Sequence, residues 1–290
     1  IKEMARLFLP RTLGVAIYQI NLFVDTIFAS LALIVGEGAP AALAYAQRII
    51  QLPMALFVIA LAQVALPTMS GLAHRHDLAG LKQTLFFSLR SVFTLMIPVT
   101  AGLLVLARPL VKLVFERGSF SSYSTEITAS CLFFYCLGLI GYAGVKILAS
   151  CFYSLKDTST PGKVAGLALI INVALNLILM RPMQMAGLAL ATAVSVTVNF
   201  LLLLAMLRKR IGEFGQLGKS FLRLASAALI MGLLLWFIFY RSGLLPGNDL
   251  MLAVKLVASI LLAIFIYWSL LRIFAQEEAR ILRQWVFKKK

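Results

Sequence analysis

Acidic side chains are scarce: the 290 residues hold 11 Asp and Glu against 27 Lys and Arg, and only 13% of the chain is charged. An ordinary soluble domain is about 25% charged. Histidine is nearly absent, with His74 and His76 alone, both in one polar stretch and without the Cys or carboxylate spacing of a zinc site. Cysteine is limited to Cys131, Cys136 and Cys151, an odd number set in apolar stretches. That excludes a disulfide framework and reads as small core residues. Glycines follow neither a P-loop nor a dinucleotide fingerprint, and no serine has a histidine base near it in sequence. With no convincing acid/base pair, the residues point away from an enzyme.

What is present is apolar. Hydrophobic residues make up 61% of the chain, and mean hydropathy is +0.96. A soluble fold of this size cannot hide that much apolar surface, and disordered chains are polar. Lipid is therefore the solvent for most of the chain. A spanning helix needs about 20 apolar residues, and eight runs qualify: 9–35, 43–72, 84–107, 126–155, 162–180, 184–207, 220–240 and 250–274. They are too long for barrel strands. Turn signals separate them, as in Gly36-Glu37-Gly38-Ala39-Pro40 and Lys156-Asp157-Thr158-Ser159-Thr160-Pro161. The expected fold class is all-α, a polytopic membrane bundle of eight transmembrane helices.

Basic residues set the orientation. With both termini in the cytoplasm, the outer side receives only Arg108, Lys112, Arg117, Arg181 and Arg241. Most of the rest, including Arg75, Lys156, Lys163 and Arg208-Lys209-Arg210, fall inside. The net charge of +16 is thus matched to anionic headgroups rather than to nucleic acid. The Gly-rich polar stretch 212–218 divides the chain into residues 1–211 (six helices) and 212–275 (two more), followed by a basic tail, 276–290. That tail either lies on the headgroups or is simply solvated. No cleavable signal is visible, and the opening Ile1-Lys2-Glu3 in place of an initiator Met leads us to expect a piece of a longer protein.

Polar residues at membrane depth cost at least ~2.5–3.5 kcal/mol when charged. Asp25 has no Lys or Arg three or four residues away, so it binds a partner on another helix, binds a cation, or stays protonated. Asn172 and Asn176 share one helical face, and Thr192 follows the small-residue stretch Gly187-Leu188-Ala189. Together the four offer an all-oxygen set suited to Na⁺, or else ordinary interhelical hydrogen bonds. Arg48, with Gln47 and Gln51, stands on an otherwise apolar helix. It either contacts a phosphate in a wet cavity or snorkels to headgroups. Lys146 lies too deep to snorkel and either faces the cavity or pairs with an acid. Pro53, Pro67 and Pro98 suit bent helices lining a cavity, and equally an inert bundle.

Several segments carry a family likeness. Ala44-Tyr45-Ala46-Gln47-Arg48 through Gln51-Leu52-Pro53, then Leu66-Pro67-Thr68-Met69-Ser70, Phe115-Glu116-Arg117-Gly118-Ser119-Phe120, Val145-Lys146-Ile147-Leu148-Ala149 with Phe152-Tyr153-Ser154 and Asp157-Thr158-Ser159-Thr160-Pro161, and Ala186-Gly187-Leu188-Ala189-Leu190-Ala191-Thr192 occur in family order. The chain resembles the MurJ lipid II flippase family of the multidrug/oligosaccharidyl-lipid/polysaccharide exporter superfamily. The resemblance implies a fourteen-span protein of the bacterial cytoplasmic (inner) membrane. This chain would be its C-terminal part: the second six-helix lobe plus two helices forming a lipid-tail groove. It implies transport of lipid II, a diphosphate-linked muropeptide, to the outer leaflet by alternating access, in partnership with membrane lipids and the missing N-terminal lobe. Arg48, Lys146, Gln47 and Gln51 would be substrate-binding. Asp25, Asn172, Asn176 and Thr192 would hold a coupling Na⁺, with no other cofactor. Many members carry an acid where this chain has Gln47 and Gln51, and some where it has Asn176, so the charge of both sites is reduced here. Without its first lobe the chain should not transport. A related exporter of other polyprenyl-linked glycans or drugs, and a non-transporting scaffold for cell-wall enzymes, remain alternatives.

Overall fold

The computed structural model describes residues 19–213, 215–241 and 249–274. The expected basic tail and residues 9–18 of the first apolar run lie outside them. Every element among the described residues is helical. We number them α1 (Gln19–Ala29), α2 (Ala32–Val35), α3 (Ala39–Pro53), α4 (Ala60–His74), α5 (Leu78–Phe115), α6 (Ser122–Leu137), α7 (Leu139–Ser154), α8 (Ser159–Ile211), α9 (Leu217–Arg241) and α10 (Asp249–Phe274).

Local chemistry explains the boundaries. Gly38, at φ 78°, caps α3 in the left-handed region, and Pro40 sits in the first turn where its missing N–H costs nothing. Pro53 removes a backbone donor, and a π-helical segment, Met54–Ile59, follows it and joins α3 to α4. The result is one apolar rod, Ala39–His74. Asp77 begins α5 by accepting from the Gly80 N–H at 2.8 Å, and Ser121 begins α6 by accepting from the Ser124 N–H at 3.3 Å.

Two interruptions shape the middle of the chain. The run expected as one span over 126–155 is broken at Gly138, where α6 and α7 meet at 45°. A Cβ on Gly138 would lie 2.7 Å from the Ala193 Cα, and one on Gly141 would lie 3.1 Å from the Thr197 Cα. These glycines let α7 approach the backbone of α8 as no larger residue could. The second interruption lies inside α8. At 53 residues it is far too long for one crossing, and Gln184 leaves the helical region at φ 51°, ψ −134°. The chain reverses there: a Cβ on Gly187 would meet the Leu179 carbonyl oxygen at 2.3 Å. The break falls at the first residue of the expected run 184–207, just after the run 162–180 ends.

By length and composition, five helices among the described residues can cross a membrane, or six with α6–α7 taken as one bent span. The protein is a multi-pass helical membrane bundle. Helices α9 and α10 pack on one another and on α5, fastened by the Tyr267 hydroxyl donating to the Thr94 carbonyl at 3.0 Å and that of Tyr240 to Val105 at 3.3 Å.

The contacts also sort the loops into two ends. At one end the 36–40 turn meets Gln184 and Met185 and the start of α6, with the α5–α6 loop beside it. At the other, Asp157 pairs with Arg210, and Gly212 lies against the Lys82 ammonium.

Candidate functional site

The polar residues on α1 and α8 converge. Asp25 and Thr192 are buried, and Asn172 and Asn176 are wholly so. Asn176 Nδ2 donates to Asp25 Oδ1 at 2.8 Å and to Asn172 Oδ1 at 3.0 Å. Thr192 Oγ1 lies 3.0 Å from both Asp25 Oδ2 and the Leu188 carbonyl, so its single proton serves one of them at a time. Asn172 Nδ2 donates to Thr192 Oγ1 at 3.1 Å, and Asn21 Nδ2 reaches Asp25 Oδ2 at 3.5 Å. Both rods of α8 are thereby tied to α1 across 151 and 167 residues of sequence.

The physical reason for the cluster is desolvation. A carboxylate in a low-dielectric interior must find donors, and amides and a hydroxyl are what the facing helices supply. One atom is left over: Asn176 Oδ1 is buried with no hydrogen-bond partner. It joins Asp25 Oδ1 and Oδ2, Asn172 Oδ1 and Thr192 Oγ1 in a set made only of oxygens. That set fits a hard monovalent cation and lacks the second carboxylate that a divalent ion favours. Among the described residues no group of three His, Cys, Asp or Glu could hold a metal.

The expected substrate-binding residues are distributed differently. Gln47 is half-buried and turns its amide inward, donating to the Tyr135 hydroxyl at 3.1 Å. Tyr135 itself is 1% exposed. Arg48 and Gln51 are exposed on α3, and the Arg48 guanidinium lies 5.4 Å from the centre of the Tyr45 ring. Lys146 is exposed on α7, beside fully buried Ile147 and Leu148. The structure thus groups the four ion-site candidates, while Arg48 and Lys146 lie on separate helices.

Two features escaped the sequence. Tyr135 lies within Phe133-Phe134-Tyr135, an aromatic run indistinguishable from packing. The second is a cavity of about 670 Å³ at the end that carries the 36–40 turn, lined by the α3 N-terminus, the α5–α6 loop and the first turns of α6. Its loop is held by Glu116, which accepts from the Thr125 hydroxyl at 2.6 Å and from Ser122 at 3.1 Å. The Thr125 bond, against a smaller upward push from burial, holds the Glu116 carboxyl below its usual range, helped by Ser122, Lys112 and Arg108.

At the opposite end Asp157 accepts from the Thr160 N–H at 3.0 Å and from its hydroxyl at 2.8 Å, and pairs with Arg210. Burial pushes the Asp157 carboxyl up, but the Thr160 bonds and the Arg210 charge outweigh it and keep it low. Both ends of α8 are latched there.

Comparison with known proteins places these features. Residues 1–254 match the family described as lipid II flippase MurJ. The chain is 31% identical over 248 residues to the probable lipid II flippase MurJ of Haemophilus influenzae, covering 82% of this chain and 47% of that protein. It is 37% identical over 239 residues to the probable lipid II flippase MurJ of Rhizobium meliloti, covering 81% and 44%. The chain therefore spans about half the length of the curated relatives it matches. Among solved structures, that of lipid II flippase MurJ in an inward closed conformation superposes with a TM-score of 0.74 at 27% identity, over 91% of this chain and 52% of that one. An outward-facing multidrug resistance MATE family transporter shares the fold alone, with a TM-score of 0.60 at 18% identity over 98% of this chain and 66% of that one. The all-helical architecture and the family match along most of the sequence lead to one conclusion: this chain belongs to the lipid II flippase MurJ family.

Proposed function

We propose that the chain is the C-terminal part of a lipid II flippase, moving the lipid-linked peptidoglycan precursor from the inner to the outer leaflet without changing it covalently. Family membership over residues 1–254 carries this reading. In the complete protein, residues 1–211 form the second lobe of the transporter and face a first lobe across a central chamber. Residues 212–275 add two helices along which the polyprenyl tail stays in lipid. The bundle crosses the bacterial inner membrane eight times with its termini in the cytoplasm. In support, the loops assigned to one side gather at one end: the 36–40 turn with the α5–α6 loop, and the Asp157 loop with Arg210.

Arg48, exposed on α3, binds the diphosphate through its fork of N–H groups. Lys146, exposed on α7, adds positive charge to the same chamber, and Gln51 lies one turn beyond Arg48. Gln47 acts through Tyr135, fixing α3 against α6. Asp25, Asn172, Asn176 and Thr192 are the residues that would hold Na⁺. A bound cation would neutralise Asp25 and leave α1 and α8 joined through a common centre. Rocking of the two lobes then exposes the chamber to each side in turn.

The test is lipid II translocation by the full-length parent in proteoliposomes. Arg48→Ala should insert normally and lose at least tenfold in rate; an unchanged rate removes Arg48 from the mechanism. The fold is also that of a multidrug transporter, which supports export of other glycans or drugs as a second reading. Rescue of cells depleted of their own lipid II flippase decides between them.

A further inference from the structure

The cavity beside α3 carries more than a gap between helices. Its wall combines Glu37, Tyr45, Arg117, Phe120, Tyr123 and Thr128: one acid, one guanidinium, three rings and a hydroxyl. Tyr45, Phe115 and Phe120 pack together, Tyr45 tilted against Phe115 with centroids 4.7 Å apart and edge-on to Phe120 at 5.4 Å. Thr128 is 1% exposed, yet its Oγ1 has no hydrogen-bond partner. That hydroxyl is shut off from the cavity itself, so an occupant meets the other five side chains. Tyr45 connects this cavity to Arg48, because the same residue lines the cavity and carries the Arg48 guanidinium over its ring.

We propose that this cavity binds the saccharide of a polyprenyl-diphosphate-linked glycan while Arg48 holds the diphosphate. The inference rests on the flippase reading given above. A pyranose ring offers apolar C–H faces that pack on aromatic rings. Its hydroxyls need both donors and acceptors, which Arg117, Glu37 and the Tyr123 hydroxyl supply. The polyprenyl chain cannot use such a wall, since hydrocarbon offers nothing to the Glu37 carboxylate or to the Arg117 N–H groups beyond the one that donates to the Val114 carbonyl at 2.7 Å. The order of sites along α3 follows the order of groups in the ligand: the first sugar is bonded directly to the diphosphate, and Tyr45 precedes Arg48 by about one helical turn.

The experiment is equilibrium binding to the full-length parent in nanodiscs with two probes. One is polyprenyl diphosphate; the other is the same lipid carrying the disaccharide without its peptide. Glu37→Gln keeps the side-chain shape at an exposed position, and Tyr123, 58% exposed, can become Ala without opening the core. Each should weaken the disaccharide probe at least fivefold and leave the bare diphosphate within twofold, whereas Arg48→Ala weakens both. If the two cavity variants bind the disaccharide probe within twofold of the unaltered protein, or lose both probes alike, the saccharide site is overturned while the flippase reading stands. If neither probe binds the unaltered protein, the flippase reading fails and the inference fails with it.

Discussion

Asp25 is the residue on which the buried polar cluster between α1 and α8 turns. Its carboxylate accepts from Asn176 and Thr192, and those two in turn engage Asn172 and Leu188. A ligand that binds only the folded state adds stability that grows with the logarithm of its concentration, about 1.4 kcal/mol at ten times its dissociation constant. We therefore expect Na⁺, and not an equal concentration of choline, to raise the melting temperature of the full-length parent in detergent. Asp25→Asn keeps the shape and removes the charge, so it should abolish that increment. Equal melting shifts in the two proteins would remove Asp25 from ion binding. All four residues could be singled out beforehand because polar groups at membrane depth are costly and therefore few. Tyr135 and Thr128 could not, since an aromatic or a threonine in an apolar helix has an ordinary packing role. Gln47 shows the same limit from the other side: its polarity was visible, but its inward turn toward Tyr135 is set by a helix 88 residues away.

Helix boundaries followed proline, glycine and capping chemistry, and most of these could be read locally. The bend between α6 and α7 could not. Gly138 lies in an apolar run with no proline or polar signal, and its importance comes from Ala193 on another helix. A methyl group there must displace backbone rather than a side-chain tip. Gly138→Ala should destabilise the full-length parent by about 1–3 kcal/mol, the usual cost of overpacking. Adding Ala193→Gly should recover part of that loss in the same chemical unfolding experiment. Gln184 is the opposite case. It occupies a conformation that only glycine adopts freely, at φ 51°, ψ −134°. Gln184→Gly should therefore stabilise the α8 reversal by about 1 kcal/mol, read as a higher melting temperature. A lower one would show that the Gln184 side chain contributes more than its backbone costs.

At the scale of the molecule, the exposed surface is as informative as the core. Leu222, Leu229, Leu233 and Trp236 on α9, and Leu261, Ile264 and Phe265 on α10, are exposed, as a lipid-facing surface requires. Arg48 and Lys146 are exposed too, which fits a chamber completed by another lobe. Expressed alone, the chain should insert into membranes yet fail to rescue cells depleted of their lipid II flippase, whereas the full-length parent should succeed. Rescue by the chain alone would show that one lobe suffices.

Composition by itself determined the solvent, the helical class and the short roster of polar residues, because free energies of transfer to lipid act on each residue wherever it sits. The family likeness was also legible, since it is carried by contiguous motifs. Only the tertiary structure decided that Asp25 meets α8, that Gly138 bends a rod, that Gln47 turns inward, and that one helix end walls a cavity. Those outcomes depend on which helices face each other, and facing partners from 55 to 167 residues apart leave no mark in local periodicity.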